Sequence, residues 1–307
     1  MNANSKQPAP TIEQWLHDAT TQLKTAEIPT ARLDAELLLA HVLGKNRTWL
    51  LAYSDEPIAD SSLFSGSLRS RGAFVSRRFA ENVKPSKSEL SAIERANTLL
   101  TKRLDRIPLA YLTGHKEFYG RNFIVTPDVL IPRPESEMII QVLRQLDLLG
   151  SPTMHDVGTG SGSLAITIAL EFPSAHVSGS DISAEAIEIA RKNAKLLDVT
   201  DISFRTDSLL TSHHGPYDAI VANLPYVDRD WKRSPETDHE PALALFADDH
   251  GLKLITSCII QASQRICESG YLLLEADPEQ HESIITFAKD HQFTHLRTDD
   301  YIVTLQR

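Results

Sequence analysis

The sequence predicts an α/β protein, a mostly parallel β-sheet covered by helices on both faces, preceded by a small all-helical N-terminal domain and a linking β-hairpin. Three observations carry this. Apolar residues recur at helical spacing, without a strand pattern, through the first hundred residues. A glycine-centred turn at Gly120-Arg121 separates two short extended runs. From Pro152 onward strand and helix patterns alternate, as in parallel strands joined by crossover helices. The chain has 307 residues, which suits two domains. Its 41% apolar and 23% charged content is ordinary globular usage and excludes disordered and fibrous classes.

In the N-terminal domain (residues 1–112), Thr11 and Gln14 form a capping box, with Ile12, Trp15, Leu16, Ala19 and Leu23 recurring behind it. A second helix follows Pro29-Thr30, with Leu33, Leu37, Leu38 and Val42 on one face and Gly44 as its stop. A third is expected from Ser88 to Arg106, aligning Leu90, Ile93, Leu100 and Leu104. Between them, residues 61–88 are serine-rich, and Leu63 to Lys87 hold six Lys or Arg against one acid, Glu81. This stretch is expected to be a flexible, solvated basic insert, the alternative being a patch for RNA or an acidic partner.

The hairpin (residues 113–130) sets Lys116–Tyr119 against Asn122–Val125. The third segment (residues 131–307) opens on Ile131-Pro132-Arg133-Pro134-Glu135, whose prolines stiffen the backbone before a helix from Glu135 to Leu149. Strands are expected at Thr153–Val157, His176–Asp181, Ile202–Thr206, Asp218–Asn223 and Tyr271–Glu275, then at Phe293–Arg297 and Tyr301–Gln306. Cys258 and Cys267 read as lying in one helical stretch, separated by about 900° of rotation and roughly 13 Å of rise, too far apart to bridge.

Charge narrows the function classes. The formal balance, 31 − 41 = −10, lacks the footprint of a duplex or ribosomal-RNA binder but suits a basic protein partner. Met1 to Pro10 contain no apolar signal core, and no run of 18 apolar residues suggests a membrane span. A soluble protein of a reducing compartment is expected. His213-His214, flanked by Gly and Pro, and His239 show no metal-ligand spacing, so no metal site is read.

Three segments carry chemistry. Asp156-Val157-Gly158-Thr159-Gly160-Ser161-Gly162-Ser163 follows a strand and opens a helix, a place where backbone approaches a ligand closely. Its G-x-G-x-G spacing is neither the dinucleotide fingerprint nor a Walker loop. An acid ahead of the glycines suits a ligand with an ammonium group, such as the methionine part of S-adenosylmethionine. Asp181, ending the next strand 25 residues later, can accept both ribose hydroxyls of an adenosine, with helix capping as the bland alternative. Asp207-Ser208, after the third strand, can reach an adenine edge or serve a turn.

Asn223-Leu224-Pro225-Tyr226 ends the fourth strand and points to the reaction class. An amide nitrogen attacks poorly because its lone pair is delocalised. Two acceptors holding both its N–H groups favour charge developing there and aim it at a methyl donor. The Asn223 side-chain oxygen and the Leu224 carbonyl can be those acceptors. Tyr226 can pack on the planar group while Pro225 stiffens the turn.

These residues resemble the class I S-adenosylmethionine-dependent methyltransferases, with their Rossmann-like sheet. More closely, the chain is similar to the bacterial peptide chain release factor glutamine methyltransferases, the HemK/PrmC family. The resemblance covers most of the chain. It runs through Arg32 to His41, Pro108 to Gly114, Glu117 to Gly120, Ile131 to Glu135, Glu240 to Leu245 and Asp249 to Leu252. It implies methylation of the glutamine side-chain amide in the Gly-Gly-Gln motif of translation release factors, using S-adenosyl-L-methionine. Gly158 to Gly162, Asp181 and Ser208 would then contact the cofactor, and Asn223 to Tyr226 the glutamine. The family's motif is Asn-Pro-Pro-Tyr; Leu224 replaces its first proline, keeping the carbonyl while giving up rigidity. A cytoplasmic monomer is expected.

Asn-Leu-Pro-Tyr also occurs in ribosomal-RNA adenine methyltransferases, which makes that activity one alternative. The acidic balance, the closing strand pair and the Ile131 to Glu135 segment favour a protein substrate. A ribosomal-protein glutamine methyltransferase is a second alternative, disfavoured by the Pro-Arg-Pro-Glu segment. A non-enzymatic binding module is a third, opposed by the retained Asp181 and Asn223.

Overall fold

The computed structural model describes residues 9–58, 91–212 and 215–307. The expected basic insert, the Ser88 helix start with Leu90, and His213-His214 lie outside the described residues. Two compact units divide the chain, residues 1–113 and 114–307. Among the described residues no helix is long and apolar enough to cross a membrane.

The first unit contains α1 (Ile12–Thr25), α2 (Ala31–Leu43), α3 (Arg47–Ala52), α4 (Ala92–Leu104) and α5 (Leu109–Thr113). The α1 capping box closes both ways: the Gln14 N–H donates to Thr11 Oγ1 at 3.2 Å, and the Thr11 N–H to Gln14 Oε1 at 2.9 Å. All five apolar residues expected on its inner face are buried. On α2 the buried face differs from the expected one. Ala31, Ala35, Leu38, Leu39 and Leu43 are inside with Asp34 and Glu36, while Leu33 is exposed.

Ion pairing explains the difference. Arg103 Nε donates to Asp34 Oδ2 at 2.7 Å, and Arg32 and Arg47 close on Glu36 at 2.6 and 2.7 Å. A paired carboxylate escapes the burial penalty that periodicity assigns to a charge. The same holds on α4, which turns Ala92, Ala96, Leu100 and Arg103 inward behind a cap at Ser91. Helices α3 and α5 are too short for periodicity to reveal.

The second unit opens with the hairpin β1 (His115–Phe118) and β2 (Arg121–Ile124). Its turn is Tyr119-Gly120, one residue before the expected position, with Phe118 opposite Arg121. Both turn residues have positive φ, 49° and 75°, as a two-residue type I′ turn requires. The Tyr119 N–H is held by Glu137 at 2.9 Å and the Gly120 N–H by Glu117 at 2.5 Å. This register buries Phe118 and Phe123 in the unit's own core. Helix α6 (Glu137–Leu143), entered through a turn at Pro134–Ser136, stops well before Leu149, which is 80% exposed and has no core to reach.

The alternation after Pro152 becomes β3 (Thr153–Val157), α7 (Ser163–Glu171), β4 (His176–Asp181), α8 (Ala184–Leu196), β5 (Ile202–Thr206) and β6 (Tyr217–Ala222). It continues with α9 (Lys253–Ser263), β7 (Ile266–Glu275), α10 (His281–Lys289), β8 (Thr294–Asp299) and β9 (Ile302–Gln306). The strand order is β5-β4-β3-β6-β7-β9-β8, with β5 to β7 parallel and the last two antiparallel. Alternate residues of β6 enter opposite cores: Ala219 and Val221 pack on one face, Ile220 and Ala222 on the other. Strand β7 begins at Ile266, earlier than expected, so Cys267 is in the strand rather than in one helix with Cys258; both thiols are free.

Candidate active site

Strands β3 and β6 are neighbours, and the chain leaves them toward opposite edges of the sheet. Such a switch point opens a crevice at the carboxyl ends of the strands. The glycine turn follows β3 and Asn223 follows β6, so the fold brings the two predicted segments side by side. Contact between them is close. A Cβ on Gly158, which sits at φ +74°, would lie 3.0 Å from Leu224 Cδ2. Leu224 is buried in the core beneath, so packing supplies restraint where a proline ring is missing.

Beside this contact lies a cavity of about 440 Å³. Gly158, Gly160, Asp181, Asp207, Ser208 and Asn223 to Pro225 all line it. Asp156, Thr159, Ser161 and Gly162 are not on its wall; they build the turn from behind. Asp156 is buried, and its Oδ2 accepts from Thr159 Oγ1 at 2.7 Å and the Ala165 N–H at 3.2 Å. Its Oδ1 has no hydrogen-bond partner among the described residues. Burial pushes its pKa up to about 7. Asp181 Oδ2 accepts the Gly160 N–H and Oδ1 the Ser183 N–H, each at 2.9 Å. Burial raises its pKa, while these hydrogen bonds pull it down. Asp207 also serves its turn, accepting from the Ser208 and Ser212 N–H groups at 2.8 Å.

A second cavity, of about 290 Å³, lies against Asn223, Leu224, Pro225 and Tyr226. Asn223 to Pro225 therefore form a wall common to both. The carboxamide of Asn223 is fixed by residues that the sequence did not single out. Its Nδ2 donates to Ser136 Oγ at 2.9 Å, and Ser136 Oγ donates to Glu275 Oε2 at 2.6 Å. The Tyr226 hydroxyl donates to the other oxygen, Oε1, at 3.3 Å. Glu275 is buried, and that burial raises its pKa to about 7 against the hydrogen bonds that lower it. Burial and the Glu275 charge raise the Tyr226 hydroxyl's pKa, keeping it a donor. A lone acid ending the apolar run Tyr271 to Leu274 is the sequence signal that could have revealed Glu275.

The chain between Val227 and His250 contributes to both cavities, with Pro241, Leu243 and Ala244 on the first and Trp231 and Thr237 on the second. Glu240 ties it down, accepting from Arg133 at 2.5 Å and from the Ile131 N–H at 3.1 Å. The Pro-Arg-Pro segment thus has a structural task. At the stem, Gln280 Nε2 donates to both the Tyr226 carbonyl (2.9 Å) and the His250 carbonyl (2.8 Å).

Two family models match the chain: the PrmC N-terminal domain over residues 14–65 and the methyltransferase small domain over residues 134–239. The second range holds the glycine turn, Asp181 and Asn223. The release factor glutamine methyltransferase of Deinococcus radiodurans is 35% identical over 270 residues, covering 87% of this chain and 86% of the relative. That of Koribacter versatilis is 34% identical over 285 residues, covering 87% and 89%. That of Salmonella typhimurium is 32% identical over 277 residues, covering 89% and 88%.

Proposed function

The chain belongs to the release factor glutamine methyltransferase family, and from that premise we propose that it methylates the side-chain amide of the Gly-Gly-Gln glutamine of release factors, with S-adenosyl-L-methionine as donor. The observation that carries this reading is the wall shared by the two cavities. In this reading Asn223 Oδ1 and the Leu224 carbonyl are the two acceptors, with the donor in the first cavity and the substrate amide in the second; the support is that Asn223 and Leu224 line both.

The residues fit the donor. The first cavity offers Asp181 for ribose hydroxyls, exposed backbone at Gly158 and Gly160, and Ile182 and Leu209 as apolar walls for a flat base. The unpartnered Oδ1 of Asp156 lies beneath the same turn. When bound, S-adenosyl-L-methionine supplies a methyl group on a positively charged sulfur, an electrophile that needs no acid catalyst. Asn223 and Leu224 take the two N–H groups of the acceptor amide, stabilising positive charge as it develops on the nitrogen. Pro225 and Tyr226 hold the amide plane, and the Val227 to His250 excursion screens the site from water.

Asn223→Ala tests the division of labour. Turnover on a purified release factor should fall by about 100-fold or more, while the dissociation constant for S-adenosyl-L-methionine, read by calorimetry, stays within about twofold of wild type. Equal losses in both would sink the acceptor role.

A further inference from the structure

We propose that Ser136 and Glu275 are positioning residues for the methyl acceptor: through a directed hydrogen-bond relay they hold the Asn223 carboxamide with its NH₂ group inward and its oxygen free for the substrate amide. This deepens the methyl-transfer reading above and rests on it.

A carboxamide has two ends of similar shape and opposite hydrogen-bonding sense. If Asn223 were flipped, its NH₂ would face the substrate's NH₂, two donors with no acceptor between them. Something must choose the orientation. Glu275 does so as a carboxylate, because both of its oxygens can then only accept. Tyr226 O–H occupies one and Ser136 O–H the other. With its proton committed to Glu275, Ser136 can offer Asn223 only a lone pair, and Asn223 answers with Nδ2 at 2.9 Å. The relay is dry enough to be decisive: Ser136 is 3% exposed and Glu275 1%.

Protonation reverses the direction. A neutral Glu275 presents an O–H, Ser136 can accept it, and the freed serine proton can then be given to Asn223 Oδ1. The groups facing Glu275 do not hold it firmly ionised. Burial dominates and raises its pKa, as does Glu135, while hydrogen bonds from Ser136, Tyr226 and the Asn223 amide itself lower it, the last adding a direct pull of the carboxylate on the Asn223 NH₂. Asp277, Tyr301, Lys232, Arg233 and Arg133 line the same cavity, the last with its guanidinium paired to Glu240. Ionisation close to neutrality makes the relay sensitive to ordinary changes in pH.

The experiment measures kcat and KM for a purified release factor across pH 5.5–9, with S-adenosyl-L-methionine binding followed separately by calorimetry. Wild-type kcat should fall on the acid side of about pH 7 while donor affinity changes little. Ser136→Ala should lower kcat about 10- to 100-fold without weakening donor binding, and Ser136→Thr, which keeps the hydroxyl, should recover most of it. Glu275→Gln should be slow at every pH and should lose the acid limb; if it fails to fold, the wild-type profile and the two Ser136 variants decide the matter. A Ser136→Ala enzyme with wild-type kcat at every pH overturns the relay. A wild-type enzyme that methylates no release factor at any pH overturns the underlying reading instead.

Discussion

Asp181 spends one lone pair of each carboxylate oxygen on the backbone, at Gly160 and Ser183, yet its side chain still borders the larger cavity. A carboxylate has about four lone-pair sites, and with the Ile182 N–H also drawing on this one, capacity remains for a ligand's hydroxyl. Asp181→Ala is therefore expected to weaken S-adenosyl-L-methionine binding by about 10-fold or more, the loss of charge-assisted hydrogen bonds to a sugar. An unchanged dissociation constant by calorimetry would count against that contact. At this scale the sequence was readable where a residue acts alone: the glycines, Asp181 and Asn223 follow strand ends and declare themselves by spacing. It was not readable where a residue acts through another. Ser136 and Glu275 are 139 positions apart in the chain and meet only because β7 ends beside Asn223. Asp34 and Arg103 hid one another in the same way, two charges made buriable by a partner 69 residues distant.

Among the elements, the hairpin shows how a one-residue difference matters. Moving the turn from Gly120-Arg121 to Tyr119-Gly120 shifts the pairing by two residues, which keeps Phe118 and Phe123 on one face but sets Phe118 opposite Arg121 and diagonal to Phe123. With the turn at Tyr119-Gly120, Phe118 and Phe123 pack edge to face, centroids 6.1 Å apart, in the core that also holds Ile139, Ile140 and Met154. Glu137, from the following helix, fixes the turn by capturing the Tyr119 N–H, a tertiary contact that turn propensity does not encode. Phe123→Ala should thus cost about 3–5 kcal/mol and lower the melting temperature of the second unit. A loss under about 1 kcal/mol would mean that the hairpin is dispensable to that core. The excursion from Val227 to His250 was legible only as a segment of family resemblance. Its anchors, Glu240 to Arg133 and Gln280 to the stem carbonyls, explain why that segment and the Pro-Arg-Pro segment belong together.

For the whole molecule, alternation after Pro152 was enough to read a parallel sheet with two helical faces, because each strand–helix repeat is a local pattern. The order β5-β4-β3-β6-β7-β9-β8 was not contained in any local pattern, yet it is what places the glycine turn next to Asn223. The formal charge of −10 and membership of a family that modifies release factors lead to the same expectation, a protein rather than an RNA acceptor. The direct measurement is methyl transfer from radiolabelled S-adenosyl-L-methionine, with a purified release factor, the same factor bearing Gln→Ala in its Gly-Gly-Gln motif, and ribosomal RNA offered side by side. Label is expected in the intact factor alone. Label in the RNA, or equal label in the factor lacking the glutamine, would contradict it.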